Sequence, residues 1–254
     1  MDNKKFYETF DWASFKDADI NIRHIVKIIP EGVSSILDVG CGNGLITNAL
    51  KGQYNVIGVD RSKAALEFVT ASKIEASCDD IPVEDKSFDM VLSSELLEHL
   101  DEKTFLASVK EFDRIAAKYL LISVPYNESI NKGLIKCPSC AYVYHRNLHM
   151  RSFLPETIAK NFPDFDVVSH ETFGLNVRKY HPFLSKIKHK HTPASSWIPK
   201  FWTRENPRVS LCPNCEQGFD NTYKFNLLSY CLDIMNVIIS PKKPFWLMVL
   251  LKRK

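Results

Sequence analysis

Residues 34–51, "SSILDVGCGNGLITNALK", decide how this chain folds. An apolar run, "SSILDV", enters a turn with glycine at 40, 42 and 44, and "GLITNALK" leaves it as a helix. A buried strand that turns into a helix aims backbone N–H groups and the helix N-terminus at the sheet's C-terminal edge, where ligands bind in open α/β folds. Alone, the turn is a weak signal, because a glycine turn can also hold nothing. Asp60, at the end of "NVIGVD", strengthens it, since a carboxylate there can accept both hydrogen bonds of a ribose diol. Dinucleotide-binding proteins share that device, but their glycines follow GxGxxG. Here the glycines alternate strictly, with Asp38 two residues before the first.

Outward from the turn, strand and helix alternate. "FKDADINIRHIVKII" carries an apolar helical face through Phe15, Ile22, Ile25, Val26 and Ile29 and ends near Pro30-Glu31-Gly32. Beyond "NVIGVD" come a helix "SKAALEFVTAS", a short strand "IEAS", a strand "FDMVLSS", a helix "EKTFLASVKEFDRIAA" and a strand "YLLISVP". This alternation, about 125 residues long with short links, implies a mostly parallel sheet covered by helices on both faces. After Pro125 the regularity lapses. Residues 127–153 and 175–220 lack a clear period and read as irregular insertions, separated by a helix "LPETIAKNF" with Pro155 near its start and a strand "FDVVSHETF". A helix over about residues 221–239 and a strand "FWLMVLL" follow. One domain over residues 1–254 is expected, interrupted by the two insertions.

Composition sets further bounds. Of 254 residues, 45% are hydrophobic and 25% charged, the content of an ordinary soluble globular protein. A formal charge of +3 neither demands nor forbids an anionic partner. "MDNKKFYETFDW" lacks the apolar run of a secretory signal, so a cytoplasmic location is expected. The apolar stretch "FNLLSYCLDIMNVIISPKKPFWLMVLLKRK" is broken by Asp233, Asn236 and the "SPKKP" turn, so neither half makes a transmembrane span. Both halves read as buried elements.

"LDVGCGNG", "VIGVDRS" and "IPVEDKSFDMVLSSELLEHL", in that order over residues 36–100, resemble the motifs of class I S-adenosylmethionine-dependent methyltransferases. The resemblance is to the small-molecule branch that includes quinone-biosynthesis and polysaccharide-associated enzymes. It implies a Rossmann-like three-layer α/β sandwich, whose mostly parallel seven-stranded sheet ends in an antiparallel strand, here "FWLMVLL". It also implies S-adenosyl-L-methionine as cofactor. By the resemblance, Asp38 and the turn Gly40, Cys41, Gly42 and Gly44 hold the methionine portion, and Asp60, followed by Arg61, takes the ribose hydroxyls. Ser77, Cys78 and Asp79 meet the adenine edge. Where Ser77 falls the family often has an acid, so Asp79 or a backbone carbonyl is expected to meet the exocyclic amine instead. Ser94 and Glu95 line the methionine and substrate side, or else form a helix cap and a solvated acid.

Each insertion contains one CxxC: Cys137 with Cys140 and Cys212 with Cys215. Two such turns complete the four-thiolate shell of structural zinc, a filled shell with no position for substrate. Iron accepts the same ligands, and a redox pair is the other reading of a CxxC. The shared ion is expected to fasten the insertions together over the active site.

Methyl transfer from a sulfonium is an in-line displacement, and an aliphatic hydroxyl acceptor needs its proton removed as attack proceeds. His145, His149 and His99 are the candidate bases, in that order. His99, in "ELLEHL", also reads as a packing residue at a helix start. The expected acceptor is a hydroxyl of a small molecule or glycan intermediate. The basic, aromatic segment "RKYHPFLSKIKHKHTPASSWIPKFWTR" suits a phosphate-bearing or lipid-linked acceptor, peripheral contact with an anionic membrane, or unpaired bases. An RNA-modifying methyltransferase and a non-catalytic cofactor-binding interaction protein are the alternatives.

Overall fold

A computed structural model describes residues 4–13, 19–199 and 209–254. Phe15 of the first helical face and residues 200–204 of the basic, aromatic segment lie outside the described residues. The elements begin with α1 (Lys4–Glu8), α2 (Asp19–Ile28), β1 (Ser35–Val39), α3 (Leu45–Leu50), β2 (Asn55–Asp60), α4 (Lys63–Leu66), β3 (Ser72–Glu75), β4 (Phe88–Ser94), α5 (Glu102–Ile115) and β5 (Ala116–Pro125). They continue with β6 (Leu134–Lys136), β7 (Val143–His145), α6 (Pro155–Asn161), β8 (Phe165–Arg178), α7 (Pro182–His191), β9 (Val209–Leu211), β10 (Gly218–Asp220), α8 (Leu227–Ile239) and β11 (Lys242–Arg253). The chain divides into two compact units. The first comprises Met1–Tyr126, Phe153–Gly174 and Trp246–Lys254, and the second Asn127–Ser152 and Leu175–Phe245.

The seven-stranded sheet has the order β3-β2-β1-β4-β5-β11-β8, with β11 antiparallel to β5. That is the Rossmann-like class I arrangement expected from the sequence. Successive residues of each central strand enter opposite cores, as the two-residue period of a strand requires. Leu37, Val91, Leu120, Ile122 and Val249 pack on one face with α5 residues Phe105, Phe112 and Ile115. Ile36, Met90, Leu92, Leu121 and Met248 pack on the other with Ile25 of α2 and Leu50 of α3. Strands buried on both faces carry no polar alternation, which is why β1, β4 and β5 read as near-continuous apolar runs. Asp101 caps α5 by accepting the Thr104 N–H at 3.0 Å. The strand order reverses at β1, between β2 and β4, so the C-terminal ends of these strands form the ligand crevice of such sheets.

The helix expected over "SKAALEFVTAS" stops at Leu66. Asn48 competes for the backbone beyond it, its Oδ1 accepting the N–H groups of Thr70 at 2.8 Å and Ala71 at 3.3 Å.

The second unit departs further from expectation. It extends to Phe245, so α8 belongs with the insertions, and residues 175–220 contain the ten-residue helix α7. No period announces α7 because its inward residues, Leu184, Ser185 and Lys188, mix apolar, polar and charged side chains. Lys188 is buried against Asp233 of α8, Nζ to Oδ1 2.6 Å, and the Tyr180 hydroxyl donates to the same oxygen at 2.8 Å. Burial pushes the Asp233 acid up and the Lys188 amine down, and their mutual contact opposes both. α8 corrects a second expectation. Its apolar side chains, read as buried, are exposed, while Ser229, Asp233 and Asn236 turn inward with Leu232.

Candidate active site

In the first unit, β1 ends in the glycine turn, where Gly40, Gly42 and Gly44 have φ of 76°, 53° and 76°. An L side chain resists this left-handed region. At Gly42 a Cβ would also lie 2.9 Å from the Trp12 ring, so the turn needs glycine for space as well as for conformation. The Gly40 and Cys41 N–H groups donate to the Val59 carbonyl at 2.8 and 3.0 Å, tying the turn to the end of β2.

Asp60 stands at that end. Its Oδ2 accepts the Gly42 N–H at 2.9 Å and its Oδ1 the Ser62 N–H at 2.8 Å. Two carboxylate oxygens have about four acceptor positions, and the Arg61 backbone N–H also bonds Asp60, so the carboxylate keeps capacity to accept from a ribose hydroxyl. Asp38 is buried and accepts from the Thr47 hydroxyl at 2.6 Å. Burial pushes its acid up to about 7, although the Thr47 bond pulls the other way. A buried carboxylate so placed is stabilised by a cation such as an α-ammonium group. The turn, the diol acceptor and the buried acid thus fit the methionine and ribose parts of S-adenosylmethionine.

Ser77, Cys78 and Asp79 follow β3. The Ser77 hydroxyl donates to Asp79, whereas the Cys78 side chain enters the core and contacts the Ser108 hydroxyl at 3.2 Å. Of this trio Ser77 and Asp79 keep polar groups together, and only the backbone of Cys78 is suited to a ligand. Ser94 is buried at the end of β4, and Glu95 takes φ 55°, an uncommon conformation for a side chain of its size. The next residue, Leu96, lies where a Cβ on Gly40 would meet it at 2.9 Å, so this loop borders the glycine turn. His99 sits 3.9 Å from the buried Glu98 and edge-on to the Tyr7 ring.

An element not expected from the sequence covers this turn. The Trp12 carbonyl accepts from Asn43 Nδ2 at 3.0 Å, and the Trp12 indole donates to the Tyr7 carbonyl at 2.8 Å. Glu8 accepts the N–H groups of Lys63 and Ala64 at the start of α4, at 3.1 and 3.3 Å. The aromatic density of "KKFYETFDW" was the available signal.

The second unit brings together the four cysteines. β6 and β7 form one antiparallel hairpin and β9 and β10 another, each with a CxxC at its tip. The tips repeat one geometry. The Cys137 carbonyl accepts the Ala141 N–H at 3.0 Å and the Cys212 carbonyl accepts the Glu216 N–H at 2.8 Å, with φ 60° at Ala141 and 57° at Glu216. The sulfurs of Cys137 and Cys215 are 3.7 Å apart and those of Cys140 and Cys212 3.6 Å, while all four lie within 4.8 Å. A tetrahedral ion with metal–sulfur bonds of about 2.3 Å requires edges of about 3.8 Å, so the set suits a thiophilic cation. The Tyr142 N–H, with the Asn214 amide, holds the Cys140 thiol down at about 6.

His145 and His149 also lie in this unit, with ring centroids 4.8 Å apart and planes 22° from parallel. Glu128, which the sequence reading missed, joins them: its Oε2 is 2.5 Å from His149 Nδ1 and its Oε1 3.8 Å from His145 Nε2. Burial disfavours the Glu128 charge, but the His149 hydrogen bond and the two imidazoles hold its acid below the usual value. Burial, then the neighbouring His149, pushes His145 down to about 4, and a Cβ on Gly133 would overlap its ring. His145 is therefore neutral near pH 7 and fixed in place. A lone acid three residues past a strand offers no periodicity by which to find it.

Comparison with known proteins agrees with the fold. A family model described as "Methyltransferase domain" matches residues 37–119. A "Ubiquinone biosynthesis O-methyltransferase" of Rickettsia bellii (strain OSU 85-389) is 30% identical over 206 residues, covering 68% of this chain and 85% of that protein. A protein of the same name from Rickettsia canadensis (strain McKiel) is 29% identical over 127 residues, and the match spans 39% of this chain and about half, 53%, of that relative. Among solved structures, a SAM-dependent methyltransferase from Archaeoglobus fulgidus superposes with TM-score 0.58 at 17% identity, covering 98% of this chain and 100% of that one. The YcgJ protein of a Bacillus gives 0.54 at 15% identity, covering 93% and 98%. With its glycine turn, buried Asp38 and Asp60 at the end of β2 on the expected sheet, the chain belongs to the class I S-adenosylmethionine-dependent methyltransferases.

Proposed function

We propose that the enzyme methylates a hydroxyl group of a small molecule or glycan intermediate, with His149 as the base. The observation that carries this reading is the Glu128–His149 contact of 2.5 Å between buried or nearly buried side chains. The O-methyltransferase names of the Rickettsia relatives support oxygen as the acceptor atom. When bound, S-adenosylmethionine supplies a methyl group on a sulfonium, a leaving group that needs no proton from the protein. Asp38 would neutralise the ammonium of its methionine portion, and Asp60 would accept from its ribose. The remaining requirement is removal of the acceptor proton. Glu128 engages His149 Nδ1 and so assigns proton uptake to Nε2, and the carboxylate stabilises the imidazolium that results. His145, neutral and held against Gly133, packs behind His149 rather than taking the proton. The four cysteines hold a structural zinc ion that orders the second unit, and the enzyme works in the cytoplasm.

A labelled-methyl screen across sugar nucleotides, lipid-linked glycans, quinone-like phenols and RNA tests the acceptor class. Label on an oxygen of a small molecule or glycan is expected, and label in RNA alone would overturn the reading. With that acceptor, His149→Ala should lower kcat by about 10²-fold or more while leaving the cofactor Kd unchanged. Glu128→Gln should lower kcat while leaving the cofactor Kd unchanged, because the imidazolium formed in the reaction loses its counter-charge. Full turnover in His149→Ala would remove the base assignment.

A further inference from the structure

We infer that the outer face of α8 docks onto an anionic lipid bilayer. α8 is amphipathic in reverse. Ser229, Asp233 and Asn236 face the protein and are buried, while Leu227, Cys231, Ile234, Met235, Ile238 and Ile239 face outward. At about 100° per residue the outward positions occupy one continuous half of the helix and the buried polar positions the other. Ile238 is 77% exposed and Leu227 66%.

The helix is fixed in this orientation. Asp233 accepts from Lys188 and Tyr180, and the Ser229 hydroxyl donates to the Ser196 carbonyl at 2.7 Å. Asn236 accepts the His181 N–H at 2.8 Å and donates to the Lys179 carbonyl at 3.0 Å. Rolling α8 to hide its apolar side chains would break these bonds and bring Asp233 away from a buried lysine. A contiguous apolar face held outward marks an interaction surface.

Charge selects the occupant. The second unit contains 15 lysines and arginines against 5 aspartates and glutamates, a formal +10 within a chain whose total is +3. Exposed Lys224 precedes α8 and exposed Lys242 follows it, while α7, packed beside it, exposes Lys186 and Lys190 and the apolar Phe183. Neither α7 nor α8 exposes a carboxylate. An apolar stripe bordered by lysines matches a bilayer whose acyl region lies beneath anionic headgroups. A second copy of the chain fits less well, because a self-complementary pairing of α8 faces would bring lysines against lysines with no acid between them. Thirteen residues extend about 20 Å, too short to cross a bilayer, so α8 lies along its surface. Among the described residues no helix is long and apolar enough to cross a membrane.

Sedimentation of the full chain with vesicles tests this inference. Binding is expected to phosphatidylcholine vesicles containing phosphatidylglycerol, and much weaker binding to phosphatidylcholine alone. Replacing two outward residues, Ile234→Ser with Ile238→Ser, should weaken partitioning by at least about tenfold with an unchanged circular dichroism spectrum. Lys224→Gln and Lys242→Gln should each weaken it by about fivefold, and added salt should act in the same direction. Absence of binding to the anionic vesicles would overturn the inference, as would binding indifferent to the isoleucine pair. A dimer in sedimentation velocity that the same pair abolishes, without vesicle binding, would assign the face to a second copy and overturn it as well.

Discussion

Replacing Cys212 with serine should release the proposed zinc and loosen the second unit together. The sulfur separations of 3.7 and 3.6 Å are edges of a tetrahedron, and dividing them by its edge-to-radius ratio gives metal–sulfur bonds of about 2.2 to 2.3 Å. X-ray absorption at the zinc edge of protein purified without added metal should therefore show one shell of four sulfurs at that distance. Metal analysis should find about one equivalent. The clip joins Cys137 to Cys215, 78 positions apart, and closing a loop of that length stabilises the folded chain by about 4 kcal/mol on chain-entropy grounds. Cys212→Ser should thus lower metal content to near zero and move the urea transition of the second unit by an amount of that order. A first shell containing nitrogen or oxygen near about 2.0 Å would refute the all-thiolate site. Unchanged metal and stability in Cys212→Ser would refute the shared clip.

Two further predictions concern buried charge. Asp38 retains its proton up to about pH 7 in the folded chain, against a usual value of 3.8. Between those values the folded chain binds the extra proton, so stability without cofactor should fall as pH rises, by up to about 1.4 kcal/mol per unit, and level off above pH 7. Ligand binding should run the other way, S-adenosylhomocysteine binding about tenfold more weakly at pH 6 than at pH 8 in calorimetry, because its ammonium needs the ionised acid. Asp38→Asn should flatten both profiles, and persistence of either slope in the variant would assign it to another group. Asp233→Asn should destabilise the second unit by about 3 kcal/mol, since Lys188 is left as a buried charge with its counter-ion removed. Hydrogen exchange in α7 and α8 reads this, and an effect below about 1 kcal/mol would show that the pair is not energetically isolated from water.

The sheet was legible because β1, β4 and β5 are buried on both faces and joined by short links, so apolar runs and turn residues marked them. The ligand turn was legible for a different reason: alternating glycines with Asp38 and Asp60 at strand ends are local features that need no knowledge of packing. α7 and α8 defeated the same logic. Their inward faces are polar, because Lys188 and Asp233 pair across the two helices and Asn236 bonds the backbone of Lys179 and His181, and hydropathy cannot distinguish an outward apolar face from an inward one. Glu128 and the Tyr7–Trp12 cover depend on partners distant in sequence, His149 in one case and Gly42 and Asn43 in the other.

The two CxxC hairpins also have a temporal order. Ribosomes deliver the chain from one end at about 5–20 residues per second, and the 72 positions between Cys140 and Cys212 take roughly 4–15 s to emerge. Throughout that interval the first pair of thiols is half a ligand set, open to oxidants, to stray ions and to a neighbouring nascent chain. With the proposed zinc in this site, maturation would be tied to the metal supply at the moment of synthesis.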